Sequence, residues 1–166
     1  WNGKTNHCHF HFHVSKGSKS NIFYLEDQRN FGKFKFVKSD NVLEKKLNSL
    51  GMDLLQENIT NSEFIETLGK IRNKNKEIGK ILLDQKYFSG VGNYIRAEAL
   101  YVAKISPYRE LSSIDDNELI TLKQSIIHIL KKSYKKQTTN GLHSYKFLVY
   151  GKRNQKDDDG YDIIGE

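Results

Sequence analysis

Two stretches of this 166-residue chain hold residues whose types and spacing can do chemistry. The first runs Leu83-Asp84-Gln85-Lys86-Tyr87-Phe88-Ser89-Gly90-Val91-Gly92-Asn93-Tyr94-Ile95-Arg96-Ala97-Glu98-Ala99-Leu100. Closely spaced glycines let a backbone approach a ligand, and the N–H groups that open a following helix form an anion site. Asn93, at that opening, can cap the helix and still turn an amide N–H outward. A phosphate fits such a place, although spacing alone favours a plainer reading, a tight turn between helices with Asn93 as its cap. The second stretch is His7-Cys8-His9-Phe10-His11-Phe12-His13, which has the composition of a metal tract. In a strand, however, His7, His9, His11 and His13 share one face while Cys8 joins Phe10 and Phe12 on the other. Nothing completes a tetrahedral set, so the expectation is a polar outer face, with no metal and no cofactor.

The elements that must position these residues follow two periods. Over the first forty residues or so the pattern alternates, and it predicts three strands around His9–Val14, Ile22–Leu25 and Phe34–Phe36, a meander with one apolar face. Ser15 to Ser20 suits a hairpin loop, and Gly32 punctuates the turn into the third strand. From Asp40 the period is helical. Val42, Leu43, Leu47 and Leu50 fit a short helix stopped by Gly51, and Thr60 with Glu63 forms a capping box for a helix carrying Phe64, Ile65 and Leu68. Ile78, Ile81 and Leu82 mark a third helix. Tyr94 to Val102 mark a fourth, with Pro107 at its exit. Ser113, three residues before Asp116, is the expected cap of a last helix with the stripe Leu119, Leu122, Ile126, Ile129 and Leu130, ending in Lys131, Lys132, Lys135 and Lys136. Phe147–Tyr150 reads as a strand and Asp159-Gly160 as a hairpin turn.

Composition bounds the rest. With 27 Lys and Arg against 20 Asp and Glu, the formal charge is +7, which suits phosphate partners but equally suits a protein with none. At 37% hydrophobic, with 9 Phe and 9 Tyr, the chain can build a core, which argues against wholesale disorder. No apolar run approaches the roughly 20 residues of a membrane helix, so no membrane partner is expected. The lone Cys8 makes no internal disulfide and fits a reducing, intracellular compartment. The chain opens on Trp1 rather than Met, which suggests a fragment.

Four landmarks in order carry a resemblance to one family. The segment Leu83–Leu100 resembles the helix-two-turn-helix of the Fpg/Nei DNA glycosylases, a pattern of leucine-aspartate, then glycine-x-glycine-asparagine, then alanine-x-glutamate-alanine-leucine. Ile105-Ser106-Pro107 is similar to the family's isoleucine-histidine-proline, and Val149-Tyr150-Gly151-Lys152 to its valine-tyrosine-glycine-arginine. Upstream, Asp27-Gln28-Arg29-Asn30-Phe31-Gly32 resembles its aspartate-x-arginine-arginine-phenylalanine-glycine loop. The resemblance implies an α+β protein in four parts: residues 1–39 as the tail of an N-terminal β-sandwich, 40–60 as a linker with a short helix, 61–146 as the helix-two-turn-helix domain, and 147–166 as the start of a finger hairpin.

The implied activity is that of a DNA repair enzyme, a monomer that bends duplex DNA, flips out an oxidised base, cuts the glycosidic bond and nicks the strand by β-elimination. Its partner would be double-stranded DNA with a damaged or abasic nucleotide. By the resemblance, Asn93, with Gly92, holds a phosphate beside the flipped nucleotide. Arg29 faces the orphaned base, Phe31 wedges into the stack, and Lys80 lies near lesion-side phosphates. Asn30 replaces a second arginine of the void-filling loop, which weakens one expected phosphate contact. On residue type alone Phe31 could equally be a core aromatic, and Arg29 an ion-pair partner of Glu26 or Asp27.

Two departures matter. The family's nucleophile is an N-terminal proline followed by a glutamate, aided by a lysine on a hairpin, and none of these three is in this sequence. The chain as given is therefore expected to bind DNA without cleaving it. The four-cysteine zinc hairpin of many members is also absent, and Lys152–Tyr161 resembles the zincless finger of some eukaryotic and viral members. The expectation is truncation at both ends. Two alternatives stay open, a catalytically silent DNA-binding remnant and a helix-two-turn-helix ribosomal RNA-binding protein.

Overall fold

The computed structural model describes residues 8–27, 32–56, 58–141 and 144–164. They divide into two compact units, Trp1–Leu43 and Glu44–Glu166. In the first, β1 (Cys8–Lys16) and β2 (Lys19–Glu26) pair antiparallel, with Lys16 opposite Lys19 across the turn at Gly17 and Ser18. A hairpin turn this tight needs a left-handed residue, and Gly17 supplies it at φ +60.

The expected third strand does not form, because residues 32–37 join no ladder. Their rings make the contact instead. Phe34 stacks on Phe12 at 4.9 Å and on Phe10 at 6.2 Å, and Phe36 meets Phe34 edge-on at 4.8 Å. Alternation decides which face a side chain takes, and ring packing satisfies that face without backbone pairing.

Helix α1 (Asp40–Leu47) carries the chain into the second unit and stops short of Leu50. There α2 (Asn61–Gly69), α3 (Ile78–Leu82), α4 (Asn93–Ala103) and α5 (Asp116–Asn140) enclose one core. Phe64, Leu68, Ile78, Ile81, Leu82, Ile95, Ala99, Leu122, Ile126 and Ile129 are all buried, each large side chain contributing about 1.5–3 kcal/mol. The expected capping box opens α2. Thr60 Oγ1 accepts the Glu63 N–H at 3.2 Å, and the Glu63 carboxylate accepts the Thr60 N–H at 2.7 Å.

The last helix departs from expectation at both ends. Its cap is Asp115, not Ser113. Asp115 Oδ1 accepts the Glu118 N–H at 2.9 Å, whereas Ser113 lies in a 3-10 turn (Leu111–Ser113) and its hydroxyl donates to Glu110 O at 2.8 Å. A hydroxyl and a carboxylate compete for the role, and the carboxylate wins because Glu118 answers it with a bond to the Asp115 N–H at 3.1 Å. The Arg109 guanidinium holds Glu118 below its usual carboxylate range. At the other end α5 runs through the lysines to Asn140 before Gly141 turns the chain at φ +88.

Gly51 does more than follow a helix. Its N–H donates to Gln85 O at 2.8 Å, beside the short parallel pair β3 (Met52–Asp53) and β4 (Phe88–Ser89). A Cβ there would lie 2.2 Å from the Tyr87 carbonyl carbon. Gly51→Ala is therefore expected to lower unfolding free energy by about 1–3 kcal/mol in a urea titration, since backbone must move to admit the methyl.

Candidate functional site

The bend between α3 and α4 is built by one side chain. Gln85 Oε1 accepts the Gly90 N–H at 2.9 Å while its Nε2 donates to Val91 O at 2.9 Å and Leu83 O at 3.2 Å. Gly90 takes the left-handed turn at φ +80, a conformation that favours glycine. The chain then runs extended into Gly92, at φ −105, and Gly92 is the N-cap of α4.

Asn93 is thus the first residue inside the helix and not its cap, contrary to expectation. The bend delivers a glycine to the cap position, and Gly92 offers no side chain to the first-turn N–H groups. Those donors and the positive end of the helix dipole stay available. Asn93 is exposed, and its amide has no hydrogen-bond partner among the described residues.

Asn93 stands at the edge of a groove of about 880 Å³. One wall is α4, through Asn93, Arg96, Ala97, Leu100, Tyr101 and Lys104, and the turn Ile105–Tyr108 continues it. The other wall is the segment after Val149, including Arg153 and Asp157.

The second wall is tied to the first by Glu98. Its carboxylate has no exposure and accepts the N–H groups of Leu148 at 2.7 Å, Val149 at 2.8 Å and Tyr150 at 2.9 Å. This overturns the strand expected at Phe147–Tyr150. Successive N–H groups of a strand point to opposite sides, so they cannot converge on one carboxylate. Around this knot the rings of Tyr94, Tyr145 and Tyr150 each lie 5.2 to 6.3 Å from a neighbour in the cluster centred on Phe147. Tyr145 is buried, and its hydroxyl has no hydrogen-bond partner among the described residues. Burial, with the Glu98 carboxylate and Tyr94 nearby, pushes its phenol up to about 12.

Around Asp159-Gly160 the chain doubles back through an isolated antiparallel bridge between Lys156 and Asp162 rather than paired strands. Asn154 N–H donates to Ile163 O at 3.0 Å, Ile163 N–H to Gln155 O at 2.8 Å, and Asp157 N–H to Tyr161 O at 2.8 Å. Asp157 organises it, accepting the N–H groups of Tyr161 at 2.8 Å and Asp159 at 3.0 Å and the Tyr101 hydroxyl at 3.1 Å. Burial works against the Asp157 carboxylate, yet these donors hold it below its usual range. Lys104 adds an ion pair with Asp159 at 3.4 Å. Among the described residues no three His, Cys, Asp or Glu side chains group to hold a metal. On β1, His9 Nε2 lies 3.0 Å from Asp27 O, and the His11 and His13 rings meet edge-on at 5.2 Å.

The other expected site residues fare differently. Arg29, Asn30 and Phe31 lie outside the described residues; among those described, the Gly32 N–H donates to Asp27 Oδ2 at 2.6 Å. Gly92 and Asn93 share the α4 start, whereas Lys80 stands on α3, 2.9 Å from Glu77, and does not line the groove. Sequence reasoning gave no role to Gln85, Glu98, Tyr101 or Asp157. One signal existed for Glu98, an acid within the apolar stripe of Ile95, Ala99 and Val102.

Comparison with known proteins places this architecture. The family described as the formamidopyrimidine-DNA glycosylase H2TH domain matches residues 50–143. Formamidopyrimidine-DNA glycosylase of Prochlorococcus marinus (strain MIT 9312) is 40% identical over 118 residues, 69% of this chain and 39% of the relative. That of Zymomonas mobilis is 34% identical over 166 residues, 92% of this chain and 60% of the relative. Among solved structures, Lactococcus lactis Fpg in complex with FAPY-dG containing DNA superimposes with a TM-score of 0.76 at 28% identity, covering 98% of this chain and 62% of that one. The same enzyme with abasic-site DNA gives 0.76 at 28%. The chain belongs to the Fpg/Nei family of DNA glycosylases. It spans 39% to 60% of the length of these two curated relatives.

Two predictions test the groove. Glu98→Ala leaves three half-buried N–H groups unpaired and is expected to cost about 3 kcal/mol in chemical denaturation. Asp157→Ala is expected to speed amide hydrogen exchange across 154–163, while a chelator leaves exchange in the parent chain unchanged.

Proposed function

We propose that this chain is the damaged-DNA-binding part of a base-excision-repair glycosylase that also acts as a DNA-(apurinic or apyrimidinic site) lyase on oxidised bases. The observation that carries the reading is Asn93, an exposed amide with no protein partner among the described residues, at the start of α4 and within the family's glycine-x-glycine-asparagine pattern. A helix start with free N–H donors and an added side-chain amide is suited to one phosphate of a bent strand. In this reading the monomer grips duplex DNA around a damaged or abasic nucleotide. Asn93 and Gly92 take the phosphate beside the flipped nucleotide, and Lys80 serves neighbouring phosphates once it leaves Glu77. Arg29 offers its planar fork to the orphaned base, and Phe31 fills the stack, which helps to offset unstacking. Asn30 contributes a weaker contact than the arginine usual at its position.

The proline nucleophile and its glutamate, which the family uses to cut the glycosidic bond and eliminate the strand, are not among these 166 residues. The polypeptide tested as such is therefore expected to bind a duplex with an abasic analogue and to leave an abasic strand uncut. Asn93→Ala is expected to weaken that binding by about 1–3 kcal/mol, the scale of one charge-assisted hydrogen bond. Unchanged affinity would remove Asn93 from the site. The N-terminal sequence and intact mass of the native polypeptide would decide the lyase: a Pro-Glu start upstream of Trp1 supports a working enzyme, and a mature start near Trp1 a silent binding remnant.

A further inference from the structure

The charge of this protein is not evenly spread. Nine of its 27 Lys and Arg lie between Leu119 and Lys156, and none of its 20 Asp and Glu does, so the remainder of the chain is net acidic. On α5, His128, Lys131, Lys132, Lys135 and Lys136 recur at three- and four-residue intervals and share one face, beside the buried side chains of Ile126, Ile129, Leu130 and Ser133. All five are exposed. Lys76, Lys80, Lys86, Lys104 and Lys156 each have a carboxylate partner, whereas Lys131, Lys132, Lys135 and Lys136 have none among the described residues. Like charges three and four residues apart weaken a helix. A face that served only solubility would interleave acids.

The stripe also has a defined place. The Tyr94 hydroxyl lies 3.3 Å from Ser133 Oγ, and Gln137 Nε2 donates to that oxygen at 2.7 Å. This contact sets the α5 turn carrying Lys132 and Lys136 beside the helix start that presents Asn93. From His128 to Lys136 the stripe runs about 12 Å, and a duplex carrying one charge per about 1.7 Å can meet every cation in it.

We propose that the lysine face of α5 is a second phosphate-binding track, which takes the backbone of the same duplex away from the lesion and adds affinity that ignores the lesion. This rests on the DNA-binding reading above. The commitment to duplex DNA comes from continuity with the Asn93 helix start and from the absence of carboxylates along the face.

The test compares the 166-residue chain with Lys132→Gln/Lys136→Gln on an abasic-analogue duplex and on an undamaged duplex over a range of salt. Gln keeps helix propensity and relieves like-charge repulsion, so a thermal midpoint no lower than the parent's verifies the fold. The double variant is expected to bind both duplexes about tenfold more weakly, with their affinity ratio unchanged and the slope of log affinity against log salt smaller by about 2. Lys45→Gln/Lys46→Gln, which removes the same charge from exposed positions on α1, is expected to change affinity less than about twofold. An unchanged salt slope in the first variant, or an equal loss in the second, overturns the track. So does a larger loss on a stem-loop RNA than on the duplex. If the parent chain binds neither duplex, the proposed function fails. If the parent binds and prefers the abasic duplex while Lys132→Gln/Lys136→Gln matches it, only the track fails.

Discussion

A carboxylate without exposure is costly to hold unless donors surround it, and Glu98 is surrounded by three consecutive backbone N–H groups. The groove depends on this knot. It fixes Leu148–Tyr150 against α4, so the hairpin that follows Gly151 starts from an anchored turn. One helical turn on, at Tyr101, the second tie reaches Asp157 at the hairpin's organising carboxylate. Glu98 and Tyr101 are three residues apart, and a single face of α4 therefore sets both the position and the angle of the opposite wall.

The start of that helix is held with equal economy of parts. The Gln85 amide spans the bend, Gly90 turns it, and Gly51 packs against the Tyr87 backbone behind it. At the N-terminus of α3 the Ile78 N–H donates to Arg109 O at 2.9 Å and the Gly79 N–H to Pro107 O at 3.0 Å. Each end of the helix-two-turn-helix is thus satisfied by protein except the first turn of α4. A helix start without a side-chain cap, in a unit whose α2 and α5 each open on a capping box, is the physical basis for reading that start as a ligand site.

The helices were legible because a stripe at three- and four-residue spacing reports a buried face directly. Leu119, Leu122, Ile126, Ile129 and Leu130 are all buried, and the Thr60–Glu63 box caps α2 as its spacing predicts. Strands were less legible. Phe34 and Phe36 share the face that alternation assigns them, yet the backbone makes no ladder, since alternation carries no information about hydrogen-bond partners. Phe147–Tyr150 failed for a related reason: a short apolar run is compatible with any buried segment, and its N–H groups were claimed by a carboxylate about fifty residues away.

For the site, the sequence by itself determined the family and the presence of Asn93 at a helix opening, because both depend on residues near each other in the chain. The stretch from Leu119 to Lys156, rich in Lys and Arg and without Asp or Glu, is likewise a property of the sequence. Whether Asn93 or Gly92 would be the cap, and which acid would hold the finger, were decided only by tertiary structure. The first depends on the φ of Gly90 and the Gln85 clamp, and the second on distances between α4 and residues more than fifty positions later. Neither quantity is a property of a local stretch of sequence, since each arises only when distant segments compete for the same hydrogen-bonding groups.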